Sequence, residues 1–130
     1  EIIGQAVPLP SVLAPALREF IGARPKEVFV AVLLDAKHRV LAFEEVSVGT
    51  ISTSLVHPRE VFGSAVRLAA SAVIVAHNHP SGDTEPSQED HAVTIRLKDA
   101  GSLLGIPLLD HLIVAPNSNE LYSFHASGTL

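Results

Sequence analysis

Two hydrophobic periodicities alternate along the chain, and each predicts a different kind of element. Apolar residues spaced three and four apart follow Ser11 in "VLAPALREFIGA" and Pro58 in "PREVFGSAVRLAA", and this spacing predicts two amphipathic helices. The first helix is expected to end near Gly22. Two stretches rich in Val, Leu and Phe, residues 27–35 and 39–49, are joined by "AKH" and predict a β-hairpin.

The second half of the chain combines a buried strand with a further helix and a closing hairpin. The uninterrupted apolar run "AVIVA" predicts a strand that is covered on both faces. Ser87 opens the helical pattern "QEDHAVTIRLKDAGSLL", for which Gly101 and Gly105 are both candidate stops. "IPLLDHLIV" and "LYSF" predict two paired strands, whereas "TISTSLV" fits either an edge strand or a loop. This order of elements predicts an α/β domain in which helices flank a mixed β-sheet.

The composition restricts the chemistry that is open to this domain. With 130 residues, 47% of them hydrophobic, the chain is long enough for one domain with a substantial core. The absence of cysteine excludes disulfides, a thiolate nucleophile and a Cys-ligated zinc, so any metal must be held by nitrogen and oxygen. The net charge of -5, with dispersed Lys and Arg, disfavours extensive contact with a nucleic-acid backbone.

The sequence carries no sign of membrane association or of a secretory leader. Its apolar runs stay below the roughly 18 residues that a membrane span requires, and its first residues lack the basic region of a signal peptide. We therefore expect a soluble, cytoplasmic protein. The first residue is not Met, which suggests a part of a longer protein.

The stretch "AHNHPSGDTEPSQED" directly follows the buried strand and holds the candidate chemistry. If the strand runs through His79, then His77 and His79 project to one face and Asn78 to the other, because side chains alternate along a strand. Asp90, in the first turn of the helix that Ser87 opens, is the natural third ligand. Two histidines and one carboxylate leave a fourth position for water, which is the catalytic pattern of zinc.

Each part of this pattern also has a purely structural interpretation. Ser87 and Asp90 form an S-x-x-D capping box, and for this pair alone capping is the preferred interpretation. An H-x-H pair by itself is a weak signal. Its combination with S-x-x-D at the start of the next helix is much less expected by chance, although the pattern still lacks a general base.

The spacing H-x-H, seven residues, S-x-x-D resembles that of the JAMM (MPN+) metalloprotease domains. More specifically, "HPREVFGSAVRLAASAVIVAHNHPSGDTEPSQED", "LLGIPLLDHLIV" and "YSFHASGTL" resemble the RadC family of bacterial JAMM-like (JAB-like) proteins. The resemblance extends from about Glu27 to the C-terminus, so we expect a lead-in helix or remnant at residues 1–25 and a RadC-like JAMM/MPN+ domain at residues 26–130. It implies a JAMM/MPN architecture similar to that of cytidine deaminases.

The resemblance also implies roles for individual residues. His77, His79 and Asp90 would bind Zn²⁺, and Ser87 would help to stabilise the oxyanion of a tetrahedral intermediate. Glu27 occupies the place of the catalytic glutamate on an early strand, although its structural interpretation is a solvated residue at the start of a strand. Two further glutamates, Glu44 and Glu45, are rivals for this role. Asp110 has two possible roles: it could orient a zinc-bound imidazole, or it could belong to an edge strand or turn.

These features lead to three functional hypotheses. The first is a zinc-dependent hydrolase of JAMM type, a metallopeptidase in which metal-activated water attacks a peptide or isopeptide bond of a protein substrate. The second is a metal-dependent nuclease or DNA-processing module, since RadC relatives are named for DNA repair. In that case DNA would be bound through the N-terminal helix-hairpin-helix region that the family usually carries and that is not visible here. The third is a non-catalytic domain that keeps zinc for stability or interaction.

Overall fold

A computed structural model describes residues 2–130, which form a five-stranded mixed sheet with helical elements on both faces. The strands occur in the spatial order β2-β1-β3-β4-β5. Their bounds are β1 Val28–Leu34, β2 Val40–Val48, β3 Ala72–Asn78, β4 Leu108–Val114 and β5 Leu121–Ser123. The predicted α/β fold, a mixed sheet flanked by helices, is confirmed.

The strand pairing follows the predicted hairpins and adds one parallel contact. β1 pairs antiparallel with both β2 and β3, and β4 pairs antiparallel with β5. β3 and β4 are parallel, and the helix α3, Gln88–Leu104, connects them. Such a parallel pair requires a long crossover, which this helix provides. The apolar run in β3 is fully buried because strands flank it on both sides and helices cover both of its faces.

The first predicted helix forms with an irregular backbone. A 3₁₀ turn at Pro10–Leu13 precedes a single α-helical turn, α1, at Ala14–Leu17, and a π-helical turn at Arg18–Gly22 follows. Prolines in the first turns of the 3₁₀ and α-helical parts are tolerated because the backbone N–H groups there need no helical partner. The segment ends at Gly22 as predicted and covers one face of the sheet.

The second predicted helix, α2, extends over Pro58–Arg67. His57 caps its start, since its Nδ1 accepts a hydrogen bond from the Arg59 backbone N–H at 3.2 Å. The stretch "TISTSLV" before it, which the sequence left open, forms turns rather than a strand.

Of the two candidate stops for α3, Gly105 is the one that ends the helix. Gly105 adopts a left-handed conformation with φ +73°, which favours glycine at this position. Gly101 lies inside the helix and is buried against the chain that leads into β4. A Cβ at Gly101 would lie 2.5 Å from the backbone oxygen of Ile106, so glycine allows the close approach of helix and strand.

Each sheet face packs against its own cluster of apolar side chains. The first cluster joins the residues 10–22 to one face of the sheet, chiefly through Leu13, Leu17 and Ile21. The second joins α2 and α3 to the opposite face. The first 25 residues thus supply much of one half of the core, and the proposed division at residue 25 remains a prediction. Within residues 2–130, no helix combines the length and apolar character that crossing a bilayer would require.

Candidate metal centre

His79 of the H-x-H pair lines a cavity of about 900 Å³ at one end of the sheet, and the buried His77 lies next to it. Three parts of the chain meet there: the end of β3, the start of α3 and the residues that precede β1. The antiparallel pairing of Phe29 with His77 explains this meeting, because it brings the start of β1 to the end of β3. The residues that line this cavity include Lys26, Glu27, His79, Asp83, Glu85, Ser87, Glu89 and Asp90.

The alternation of side chains along β3 separates the two histidines from the asparagine between them. β3 ends at Asn78, one residue before His79, yet the His79 backbone N–H still donates to the Val114 carbonyl at 2.8 Å. His77 and His79 therefore face the same side, with their Nε2 atoms 3.0 Å apart. Asn78 points away, as predicted, and its Oδ1 accepts a hydrogen bond from the Val28 backbone N–H at 2.6 Å.

Asp90 is fixed next to the histidines by the capping box that the sequence predicts. The Asp90 backbone N–H donates to Ser87 Oγ at 3.0 Å, and the Ser87 backbone N–H donates to Asp90 Oδ2 at 2.9 Å. Asp90 is only 1% exposed. Its two oxygens lie 3.3 Å from His77 Nε2 and 3.1 Å from His79 Nε2.

These distances fit the donor set of a divalent metal ion. Zinc binds imidazole nitrogen and carboxylate oxygen at about 2.0–2.2 Å, so tetrahedral geometry separates its ligand atoms by about 3.3 Å. The three contacts among His77, His79 and Asp90 measure 3.0–3.3 Å. His79 Nδ1 also donates to the Asp83 carbonyl at 2.7 Å, which directs Nε2 toward the centre, as in most metal-binding histidines.

The electrostatics of the cluster favour an ionised Asp90. Burial opposes ionisation, but the neighbouring histidines and the hydrogen bond from the Ser87 backbone N–H outweigh it and hold the pKa of Asp90 well below its usual range. The hydrogen bond with the Asp90 carboxylate in turn raises the pKa of His79, against the opposing effect of partial burial. The carboxylate of Asp90 and the raised pKa of His79 thus both favour a positive charge in this cluster.

Glu27 is the glutamate that the fold brings to this cluster. One of its carboxylate oxygens, His77 and His79 offer ligand atoms within 4.8 Å of one another, a group that could hold a metal ion. This grouping includes Glu27, whereas the sequence predicted Asp90 as the third ligand. Asp90 makes the shorter contacts and is more deeply buried, while Glu27 is half-buried and lines the cavity.

The two rival glutamates lie elsewhere on β2. Glu44 and Glu45 pair with Ala31 and Val30, farther along β1 than the end that meets His77. Glu45 forms an ion pair with Arg24 at 3.1 Å. Neither rival lines the cavity, so among the three glutamates only Glu27 has access to a substrate there.

The residue that contacts Nδ1 of His77 is His111. The sequence suggested Asp110 for this role, but Asp110 has other partners. Asp110 accepts hydrogen bonds from the backbone N–H groups of His111 and His125 and from Ser123 Oγ, and so stabilises the turn after β5. In the parallel pairing of β3 and β4, His111 lies opposite Val75 and shares a sheet face with His77. His111 Nε2 lies 2.8 Å from His77 Nδ1.

His111 was missed as a partner of the site, although the sequence contained a signal for it. Alternation along β4 requires that Asp110 and His111 face opposite sides, so at most one of them could face the histidines. A second partner, Thr94, lies four residues after Asp90 on the same face of α3, and its Oγ1 lies 2.6 Å from His111 Nδ1. This spacing was visible in the sequence as well.

Comparison with known proteins identifies relatives along most of the chain. A family model described as RadC-like JAB domain matches residues 9–129, so the match includes the N-terminal helical segment. UPF0758 proteins of Trichlorobacter lovleyi and Geobacter sulfurreducens are 52% and 50% identical over 81% and 82% of this chain. A UPF0758 protein of Rubrobacter xylanophilus is 54% identical over 75% of it.

The matched region is a part of each of these relatives. It covers 45%, 46% and 43% of the Trichlorobacter, Geobacter and Rubrobacter proteins, so the chain spans less than half of their length. The family model nevertheless covers nearly the whole of this chain, including the H-x-H pair, the capping box and both closing strands. The chain belongs to the family of RadC-like JAB domains, as its sequence pattern predicted.

Proposed function

We propose that this domain is a zinc-dependent hydrolase that cleaves a peptide or isopeptide bond. The observation that carries this proposal is the cluster of His77, His79 and Asp90, whose donor atoms lie 3.0–3.3 Å apart beside a cavity that Glu27 also lines. His77, His79 and Asp90 would hold the zinc ion. Zinc held there would supply a Lewis acid that can polarise a carbonyl group and activate water for attack.

Glu27 is the general base and acid of the proposed reaction. Its half-buried carboxylate lies close to both histidines and open to the cavity, where it can accept a proton from the attacking water. The same carboxyl group then donates that proton to the leaving amine nitrogen, and the carboxylate is restored. A carboxylate in this position serves catalysis without being needed as a metal ligand.

Ser87 supplies a hydrogen-bond donor for the developing oxyanion. Its Oγ already accepts from the Asp90 backbone N–H, and its own hydroxyl proton remains to be donated. Ser87 is exposed and lines the cavity, so a substrate oxygen can reach it. Capping of α3 and stabilisation of an oxyanion are therefore compatible roles of one side chain.

The charge of the cavity favours a protein substrate over DNA. Besides Glu27 and Asp90, the carboxylates of Asp83, Glu85 and Glu89 line it, and Lys26 is the only Lys or Arg among the described lining residues. A polyanion that entered this cavity would be repelled, whereas a basic peptide would be attracted. This arrangement supports peptide or isopeptide cleavage over phosphodiester cleavage.

Metal content and turnover in paired variants test the proposal. Elemental analysis should find about one zinc per chain in wild type and Glu27→Gln, and none in His79→Ala. Glu27→Gln should reduce the turnover of peptides with basic residues near the cleaved bond by at least about 100-fold. The matched control is Glu44→Gln, which makes the same chemical change outside the cavity and should leave turnover unchanged.

Three results would contradict the proposal. Wild type without metal after incubation with zinc would remove the metal site. Equal turnover in Glu27→Gln and Glu44→Gln would remove Glu27 as the base. DNA cleavage that depends on His79, in the absence of peptide or isopeptide cleavage, would favour the nuclease hypothesis instead.

A further inference from the structure

A buried chain of hydrogen bonds connects Nδ1 of His77 to the first turns of α3. His77 Nδ1 lies 2.8 Å from His111 Nε2, and His111 Nδ1 lies 2.6 Å from Thr94 Oγ1. Thr94 Oγ1 in turn donates to the backbone carbonyl of Asp90 at 2.7 Å. The side chains belong to β3, β4 and α3, and all of these residues are buried.

The positions of the protons follow from the end of this chain at Asp90. A backbone carbonyl is only an acceptor, so the single hydroxyl proton of Thr94 is used in the bond to Asp90. Thr94 Oγ1 must then accept from His111 Nδ1, which therefore carries a proton. A neutral His111 has an unprotonated Nε2, and this atom accepts from His77 Nδ1. His77 Nε2 is thereby left without a proton, and it faces His79 and Asp90.

The surroundings of His111 favour its neutral form. The residue is 0% exposed, so an imidazolium there would lose all of its hydration. Phe124 stacks on the ring, with centroids 4.6 Å apart and planes inclined by 12°, and Phe29 meets it at 5.5 Å and 71°. These aromatic contacts hold the imidazole plane in the orientation that both hydrogen bonds need.

We propose that His111 and Thr94 are positioning residues that hold His77 in the tautomer with a proton on Nδ1 and a free lone pair on Nε2. This inference rests on the proposed metal site, because the free Nε2 is the atom that would bind the ion. The two candidate ligand histidines then differ in the hydrogen-bond partners that orient them. His79 donates to the Asp83 carbonyl in a loop, whereas His77 is oriented by buried side chains of β4 and α3.

Thr94 also connects the orientation of His77 to the position of Asp90. Its hydroxyl contacts the backbone carbonyl of Asp90, whose carboxylate contacts both histidines. Loss of the hydroxyl would leave the His111 Nδ1–H without its acceptor. His111 could then move its proton to Nε2, and this would make it a donor toward His77 and reverse the preferred tautomer there.

An isosteric pair of variants at position 94 tests this proposal. Thr94→Val keeps the branched shape and removes the hydroxyl, while Thr94→Ser keeps the hydroxyl and serves as the control. Protein labelled with ¹⁵N-histidine and freed of metal is examined by NMR to assign the tautomer of His77. Wild type and Thr94→Ser should show a proton on Nδ1 and none on Nε2, whereas Thr94→Val should show a mixture or the reverse.

Zinc affinity is measured on the same three proteins by competition with a chromophoric chelator. Thr94→Val should bind zinc about 10–100-fold more weakly than wild type, the usual consequence of losing a partner behind a ligand histidine. Thr94→Ser should remain close to wild type. His111→Gln retains a side-chain acceptor for His77 and should bind zinc more tightly than His111→Leu, which provides a second comparison if Thr94→Val does not fold.

The NMR measurement separates this proposal from the proposed function because it needs neither metal nor turnover. A proton on His77 Nε2 in metal-free wild type would overturn the positioning role. Unchanged tautomer and zinc affinity in Thr94→Val would overturn it as well, and so would equal zinc affinities of His111→Gln and His111→Leu. The predicted tautomer in a protein that binds no zinc would instead support the hydrogen-bonded chain and reject the metal site.

Discussion

The two faces of the sheet are built from the same strands but differ in what they contain at the end near the cavity. On the face covered by residues 10–22, the core is apolar, and Asn78 closes it by bonding to backbone groups of Arg24, Lys26 and Val28. On the opposite face, the apolar core gives way to His77, His111, Thr94 and Asp90. A polar site can thus replace one end of an apolar core where each buried polar group there has a hydrogen-bond partner.

Truncation of a core side chain on the apolar face should cause the largest loss of stability. Leu17→Ala removes a side chain that is 1% exposed in the first core cluster, and should lower the free energy of unfolding by about 2–5 kcal/mol. Denaturant unfolding measures the loss, and Leu9→Ala, at a position that is 63% exposed, is the control. Zinc affinity of the folded fraction should be unchanged. A loss of zinc affinity in Leu17→Ala would mean that the two faces are coupled.

Zinc itself should stabilise the polar face. A ligand that binds only the folded protein at about 100 times its Kd raises the free energy of unfolding by about 2.7 kcal/mol. We expect this increase for wild type in denaturant unfolding with and without zinc, and no increase for His79→Ala. Equal stabilisation of both proteins would show that zinc binds outside the cluster of His77, His79 and Asp90.

Asn78 connects the two faces, and its removal should affect both. Asn78→Ala leaves the Val28 N–H and two backbone carbonyls without their partner, at a cost of about 1–3 kcal/mol in unfolding free energy. These bonds hold the chain on both sides of Glu27, so turnover should fall by a larger factor than zinc affinity. Asn119→Ala, at an exposed position, is the control for an asparagine substitution. Equal losses of turnover and zinc affinity would show that Asn78 does not act through Glu27.

A change of pH should have the smallest effect on stability, and this effect is expected in the metal-free protein. The raised pKa of His79 contributes stability that is present below its ordinary value of 6.5 and lost as the pH rises through the raised value. The lowered pKa of Asp90 contributes stability that is present above 3.8 and lost as the pH falls toward the lowered value. His79 and Asp90 should therefore contribute most to the stability of the metal-free protein between pH 3.8 and 6.5.

Thermal unfolding of metal-free protein across pH measures this effect, and His79→Asn should remove the decline on the alkaline side. Zinc binding should show the opposite dependence, because a proton on His79 competes with the metal. Zinc affinity should thus fall with decreasing pH as His79 becomes protonated, while Asp90 stays ionised. An alkaline decline that persists in His79→Asn would assign it to another group.

Several features of this protein were determined by the sequence alone, because they depend on neighbours along the chain. Alternation along β3 is sufficient to place the two histidines on one face and Asn78 on the other. The S-x-x-D pattern of Ser87 and Asp90 is likewise sufficient to predict the capping box at the start of α3. The apolar run before the H-x-H pair predicts a strand that is buried on both faces. All of these relations span a few residues and follow from the geometry of a strand or a helix.

Tertiary structure decided which distant residues join the histidines. Glu27 was one of three candidate glutamates, and the pairing of Phe29 with His77 brings Glu27 rather than Glu44 or Glu45 to the cavity. The choice between Asp110 and His111 depended on the register of β4 against β3, which a shift by one residue would reverse. Strand order and register arise from packing between segments far apart in the chain, so local sequence patterns do not contain them.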